Sequence, residues 1–171
     1  MISESEALEL VKKTSKCSHA LMVSSMMQAV AQTLHENDQQ WKLVGLLHDL
    51  DYDEIAGDFS RHGIVAAKKL ERRLPTECLH AIMVHDHRSG FKPQSRLDKA
   101  LIAVDSLSVL IETVMKEKSE LVVSRFLEQL DNTSEKKPWL KRNIMTCKDF
   151  GLTRYEFVAV CLRSLKDHQF V

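Results

Sequence analysis

Eight histidines are many for a chain of 171 residues, and their settings point to chemistry. His19 lies near the start of one apolar run, and His48-Asp49 close another, LVGLLHD. His62 precedes IVAAKKL, and His85 closes LHAIMVHD. Asp105 sits inside the apolar run ALIAVDSLSVLI. A carboxylate among apolar residues is costly to bury as an ion unless something positive meets it. Hydrogen bonds to helix ends, or an arginine, are one solution. A metal ion is another, because helix ends converge in bundles and bundle cores often house metal sites. Imidazole nitrogen with carboxylate oxygen suits Fe, Mn, Zn, Ni or Co. Adjacent residues on a helix diverge by about 100°, so His48 and Asp49 can share one ion only where their helix is finishing. The aperiodic segment LDYDEIAGDF supplies that finish. An HD dipeptide alone carries little information; the ordered set His19, His48-Asp49, His62, His85, Asp105 carries more.

The elements that must position these residues read as helices. Ser3 with Glu6 has capping-box spacing and opens a helix over about 3–13, and an apolar stripe from Ala20 to Leu34 marks a second over about 18–35. Asp38 can cap a third, ending near Asp49, and LDYDEIAGDFSR reads as a loop. A fourth helix runs from near His62 to before Pro75, and a fifth over about 76–86. HRSGFKPQ is a loop, after which Ser95 with Asp98 opens a long helix to about Met115. Further helices are expected over about 119–130 and 138–149, separated by the polar loop DNTSEKK. Gly151 then stops the chain before a final helix opened by Thr153 and Glu156. Only 5 glycines and 3 prolines are present, too little punctuation for an all-β chain. The expectation is an all-α, single-domain helical bundle over 1–171. Its metal-binding core would span about 17–115 and its C-terminal helices about 119–168.

Composition narrows the function. Lys+Arg and Asp+Glu are 24 each, so no broad field favours a polymeric nucleic acid, while a small phosphorylated ligand needs only a metal or a few local charges. The cysteines, Cys17, Cys78, Cys147 and Cys161, form no C-x-x-C pair and read as free thiols of a reducing compartment. MISESEALELVKK has no apolar signal core, and no run approaches the roughly 18 apolar residues a membrane span requires. A cytoplasmic protein without a membrane partner is expected.

The ordered set resembles the HD-domain superfamily of metal-dependent phosphohydrolases, an all-α fold with an H…HD…D ligand set. GLLHDLDYD, RHGIVAAKKL, LPTECLHAIMVHDHRSGFKPQSRLDKALIAVDSL and KDFGLTRYEF resemble successive blocks of its small, single-domain HDIG-type branch, from about Cys17 to Lys166. Asp51 stands where the HDIG block has glycine, and His87 makes an H-D-H sequence where the branch has a non-histidine. Nothing resembles the His-His and GYP blocks of cyclic di-GMP phosphodiesterases. The resemblance implies that His19, His48, Asp49 and Asp105 hold one divalent ion. His62, His85 and Asp49 would hold a second, with Asp49 bridging. It implies two ions (Fe, Mn, Ni, Co, Zn or Mg) and a metal-activated hydroxide that hydrolyses a phosphate ester or anhydride of a small, nucleotide-like molecule. A di-iron oxygenase on the same fold and a non-catalytic ligand-binding module are the alternatives.

Asp86, Asp53 and Glu54 are candidates for a proton donor, Asp86 foremost, so Asp49 and Asp86 form the catalytic set. Lys16, Arg61, Arg88, Lys92 and Lys99 lie near the ligands in sequence, and Arg88 with Lys99 is the preferred substrate-binding pair. His35 and His168 read as solvated, His80 as packing, and His87 as a donor near the site. LMVSSMM reads as core.

Overall fold

Asp105 and His19 meet because two long helices cross beside the centre of the molecule. The computed structural model describes residues 1–117, 120–132 and 138–167. Its α-helices are α1 (Glu4–Val11), α2 (Cys17–Thr33), α3 (Asp38–Leu47), α4 (Ile64–Lys69), α5 (Thr76–Val84), α6 (Arg96–Lys116), α7 (Val123–Asp131), α8 (Pro138–Ile144) and α9 (Arg154–Asp167). Short 3₁₀ turns occupy Phe59–Arg61, His87–Ser89 and Met145–Phe150. Among the described residues there is no strand, and no helix is long and apolar enough to cross a membrane.

The helix starts follow local chemistry. Ser3 and Glu6, Ser95 and Asp98, and Thr153 and Glu156 each form the reciprocal pair of bonds expected of a capping box. Each cap is worth about 0.5–2 kcal/mol. The cap of α3 is Asn37 rather than Asp38: Asn37 Oδ1 accepts from Gln40 N, while Asp38 accepts from the side chains of Gln28 and Gln32 on α2. The helix expected from His62 to before Pro75 is only Ile64–Lys69. Gly63 at φ 76° precludes an earlier start, and Arg72 at φ 64° follows its end. The helix expected over 138–149 is α8 tightening into the 3₁₀ segment Met145–Phe150. Ser119, residues 133–137 and His168 lie outside the described residues.

α6 packs against α2, α5, α8 and the Met145–Phe150 segment, and α2 packs in turn against α3 and α9. One continuous apolar core runs through these contacts from Ile2 to Leu165. Met26, Met27, Leu46, Leu101 and Leu107 are among its fully buried members, so LMVSSMM is core. Each such side chain contributes about 1.5–3 kcal/mol by leaving water. α2 and α3 approach closely at Gly45, where a Cβ would lie 2.9 Å from Ser24 Cα. That approach sets the end of α3 against the start of α2, the two places where His48 and His19 stand.

Candidate metal centre

His48 and His85 are the residues that close α3 and α5. Each donates its Nδ1–H to a carbonyl three residues back, His48 to Gly45 O at 2.8 Å and His85 to Ile82 O at 2.7 Å. These carbonyls belong to the last helical turn, which lacks intrahelical partners. His19, in the first turn of α2, directs Nδ1 to Glu112 Oε1 at 3.0 Å. His62 directs Nδ1 to Asp51 Oδ1 at 2.8 Å, and Asp51 Oδ2 also accepts from Ala66 N. With every Nδ1 bonded outward to an acceptor, each Nε2 faces inward.

The inward atoms converge. His19 Nε2 lies 3.3 Å from His48 Nε2, 3.1 Å from Asp105 Oδ1 and 3.6 Å from Asp49 Oδ2. Asp49 Oδ1 lies 3.1 Å from His62 Nε2, 3.4 Å from His48 Nε2 and 3.5 Å from His85 Nε2. His62 and His85 meet Nε2 to Nε2 at 3.1 Å. Two sets, His19/His48/Asp105 and His48/Asp49/His85, each offer ligand atoms within 4.8 Å of one another. His48 is fully buried, and Asp49, His62 and His85 nearly so. Neutral imidazoles held in these tautomers present four lone pairs and two carboxylates to one another with no donor between them. Such a cluster repels itself unless protons or cations occupy it. The donor set, nitrogen and carboxylate oxygen, fits first-row dications.

The ionisation of the metal-free side chains reports the same demand for positive charge. Burial alone pulls the His19 pKa down, but Asp105 and Glu112, with the charge of Asp49, outweigh it and raise it to about 10. Burial also opposes charge on His62, and Asp49 and Asp51 overcome it to raise the pKa to about 9. Burial pushes Asp49 and Asp105 up, yet the surrounding histidines hold both well below the usual carboxylate range.

The centre forms the floor of a cleft of about 260 Å³. Lys16, Tyr52, Phe59 and Arg88 line one part of it: the Lys16 ammonium lies 3.9 Å over the Tyr52 ring, and the Arg88 guanidinium 3.7 Å over Phe59. Val109 of α6 and Trp139 and Asn143 of α8 line another part. Asp86 and His87 also reach the cleft, but the Asp86 carboxylate is gripped by the Arg88 side chain and backbone. Burial favours its protonated form; Arg88 reverses this and lowers its pKa, so Asp86 is an ionised anchor for Arg88 rather than a ready proton donor.

Lys99 is not brought to the cleft. It lies six residues before Asp105 on α6, about 9 Å along the axis and about 240° around it, and its ammonium sits 3.8 Å from Asp149. Asp53 accepts from Ser15, and Glu54 pairs with Lys69; neither lines the cleft, nor do Arg61 and Lys92. His80 is more than packing: its Nδ1 lies 2.9 Å from Asp98 Oδ2 at the start of α6. His35 is exposed. Sequence reasoning missed Glu112 and the rings of Tyr52, Phe59 and Trp139. Glu112 had a usable signal, since seven residues from Asp105 is nearly two whole turns and puts both on one face.

The family model of the HD domain matches residues 17–110, which include His19, His48, Asp49, His62, His85 and Asp105. The chain belongs to the HD-domain family. No curated protein and no solved structure matches it. In this HD-domain chain the floor of the cleft lies inside the matched region, whereas Trp139 and Asn143 lie beyond it.

Proposed function

We propose that this HD-domain protein is a metal-dependent phosphohydrolase acting on a phosphate ester or anhydride of a small, nucleotide-like molecule. The observation that supports this reading most is the convergence of four imidazole Nε2 atoms and two carboxylates at the base of a cleft that Lys16 and Arg88 also line. In this reading His19, His48, Asp49 and Asp105 hold one dication, and His62, His85 and Asp49 hold the other. Asp49 is suited to bridge because Oδ2 faces His19 while Oδ1 faces His62 and His85. Two dications would supply a water of lowered pKa and positive charge for the phosphate oxygens.

The remaining roles fall to the protein. Lys16, 3.7 Å from Asp49 Oδ2, stands where it can meet a phosphate oxygen beside the centre. Of the expected pair Arg88 and Lys99, Arg88 alone lines the cleft, where Asp86 and the Phe59 ring hold its planar fork ready for an oxyanion. Trp139 offers a face for an unsaturated ring of the substrate, since Lys16 and Arg88 already stack on Tyr52 and Phe59. The zero net charge accords with a small substrate rather than a nucleic-acid polymer.

The test is purification with and without oxygen, metal analysis, and a panel of phosphate esters and anhydrides with added Mn, Fe, Co, Ni or Mg. Metal-dependent phosphate release is expected. Oxygen consumption with a mixed-valent iron signal and no phosphate release would replace this reading by an oxygenase. Absence of any bound metal would leave a non-catalytic ligand-binding module.

A further inference from the structure

The four histidines of the centre are held from behind in two different ways. His48 and His85 donate Nδ1–H to backbone carbonyls of their own helices. His19 and His62 donate instead to carboxylates, Glu112 and Asp51. One carboxylate-backed and one carbonyl-backed histidine therefore belong to each proposed ion: His19 with His48, and His62 with His85.

We propose that Glu112 and Asp51 are positioning residues that each support one half of the centre, Glu112 the ion held by His19, His48 and Asp105, and Asp51 the ion held by His62 and His85. A carboxylate behind an imidazole fixes its tautomer and ring plane and makes the distal nitrogen a stronger donor. A backbone carbonyl fixes tautomer and plane without adding a full charge. The two supports also differ in origin. Glu112 shares a face of α6 with Asp105, so that one helix presents a ligand and the brace of the ligand opposite. Asp51 is fully buried, two residues beyond Asp49, and divides its oxygens between His62 Nδ1 and the backbone amide of Ala66 in α4. It thereby ties the turn after His48-Asp49 to the helix that follows His62. Glycine, which the HDIG block places at this position, could do neither.

This inference rests on the metal centre of the proposed function and is independent of the reaction. The experiment is calorimetric titration of the full, chelator-stripped chain with Mn(II) alone. The wild type is expected to bind in two steps, with Asp105→Asn marking one and His85→Ala marking the other. Glu112→Ala should weaken the step marked by Asp105→Asn by about 10- to 100-fold and leave the other unchanged, and Asp51→Asn should do the converse. Glu112→Gln keeps an acceptor for the His19 Nδ1–H but not the charge, so it should fall between Glu112→Ala and the wild type; Asp51→Asn keeps one acceptor for the two donors that Asp51 serves and should not recover in this way. Thermal melting of the stripped variants separates lost support from lost fold. Glu112 is half-exposed, so its variants decide the matter even if Asp51→Asn unfolds. Unchanged titration of Glu112→Ala, or a loss shared equally between the steps, overturns the proposal. A wild type that binds one ion or none overturns it together with the binuclear centre. The expected division without phosphate release from any ester overturns the hydrolase reading alone.

Discussion

Asp49 carries the heaviest load of any single residue. Its two oxygens face different histidines, so its loss would reach both of the proposed ion positions, whereas His62 belongs to only one of them. Asp49→Ala should therefore lose metal and turnover more completely than His62→Ala, checked by metal content and rate for both variants. Equal losses would show that Asp49 does not bridge. A second expectation concerns protons. His19 and His62 stand at about 10 and about 9 in the metal-free chain, so both are charged at neutral pH and must shed their protons to ligate. Mn(II) uptake at pH 7 should release protons, and apparent affinity should climb with pH toward about 10, as titrations in buffers of different ionisation enthalpy will register. Each raised histidine stabilises the metal-free fold fully below 6.5, the ordinary value for an imidazole, and that contribution is lost as pH rises through about 9 to about 10. The melting temperature of the stripped chain should fall over that window, and the metal-loaded chain should lack this fall.

At the scale of elements, the site depends on how closely segments approach. Gly63 adopts φ 76°, and a Cβ there would lie 2.3 Å from Ile82 O, the carbonyl that holds His85. Gly45 would place a Cβ 2.9 Å from Ser24 Cα and 3.0 Å from Met27 Cγ across the α2–α3 contact. Overpacking of this kind costs about 1–3 kcal/mol. Both would meet backbone, but Gly63→Ala adds strain in φ and the much shorter approach, so it should be the more harmful of the two. Thermal melting should rank Gly63→Ala below Gly45→Ala, and metal titration should show the His62/His85 step impaired in the first. A Gly63→Ala chain that melts and binds as the wild type would contradict this account of how His62 is placed.

Across the whole molecule, the cleft joins two contributions. The HD match ends at residue 110 within α6, and α8, which follows it, adds Trp139 and Asn143 to the lining. α9 packs against α2, so the C-terminal helices share the core that holds His19 in place. Trp139 is half-buried and separate from the ligand cluster. Trp139→Ala should therefore leave the melting temperature within a few degrees of wild type and both metal steps intact. It should raise KM for ring-bearing phosphate esters several-fold while sparing ring-free ones, because only the former gain from an aromatic face. Equal effects on both substrate types would remove Trp139 from recognition.

The all-α class, most helix starts and the ordered ligand candidates were legible because they rest on local patterns. Helical periodicity, Ser3/Glu6, Ser95/Asp98 and Thr153/Glu156 caps, and polar residues at the ends of apolar runs all lie within a few positions of their causes. Helix spacing could place Glu112 on the face of Asp105, but which carboxylate stands behind which ligand was not legible. That Glu112 braces His19 is settled by the crossing of α2 and α6, residues 93 apart, and that Arg88 rather than Lys99 reaches the cleft is settled by the rotational phase of α6 and the grip of Asp86. Local sequence determines which residues can bond within a turn. Only packing determines which helix faces meet, and with them which carboxylate braces which imidazole.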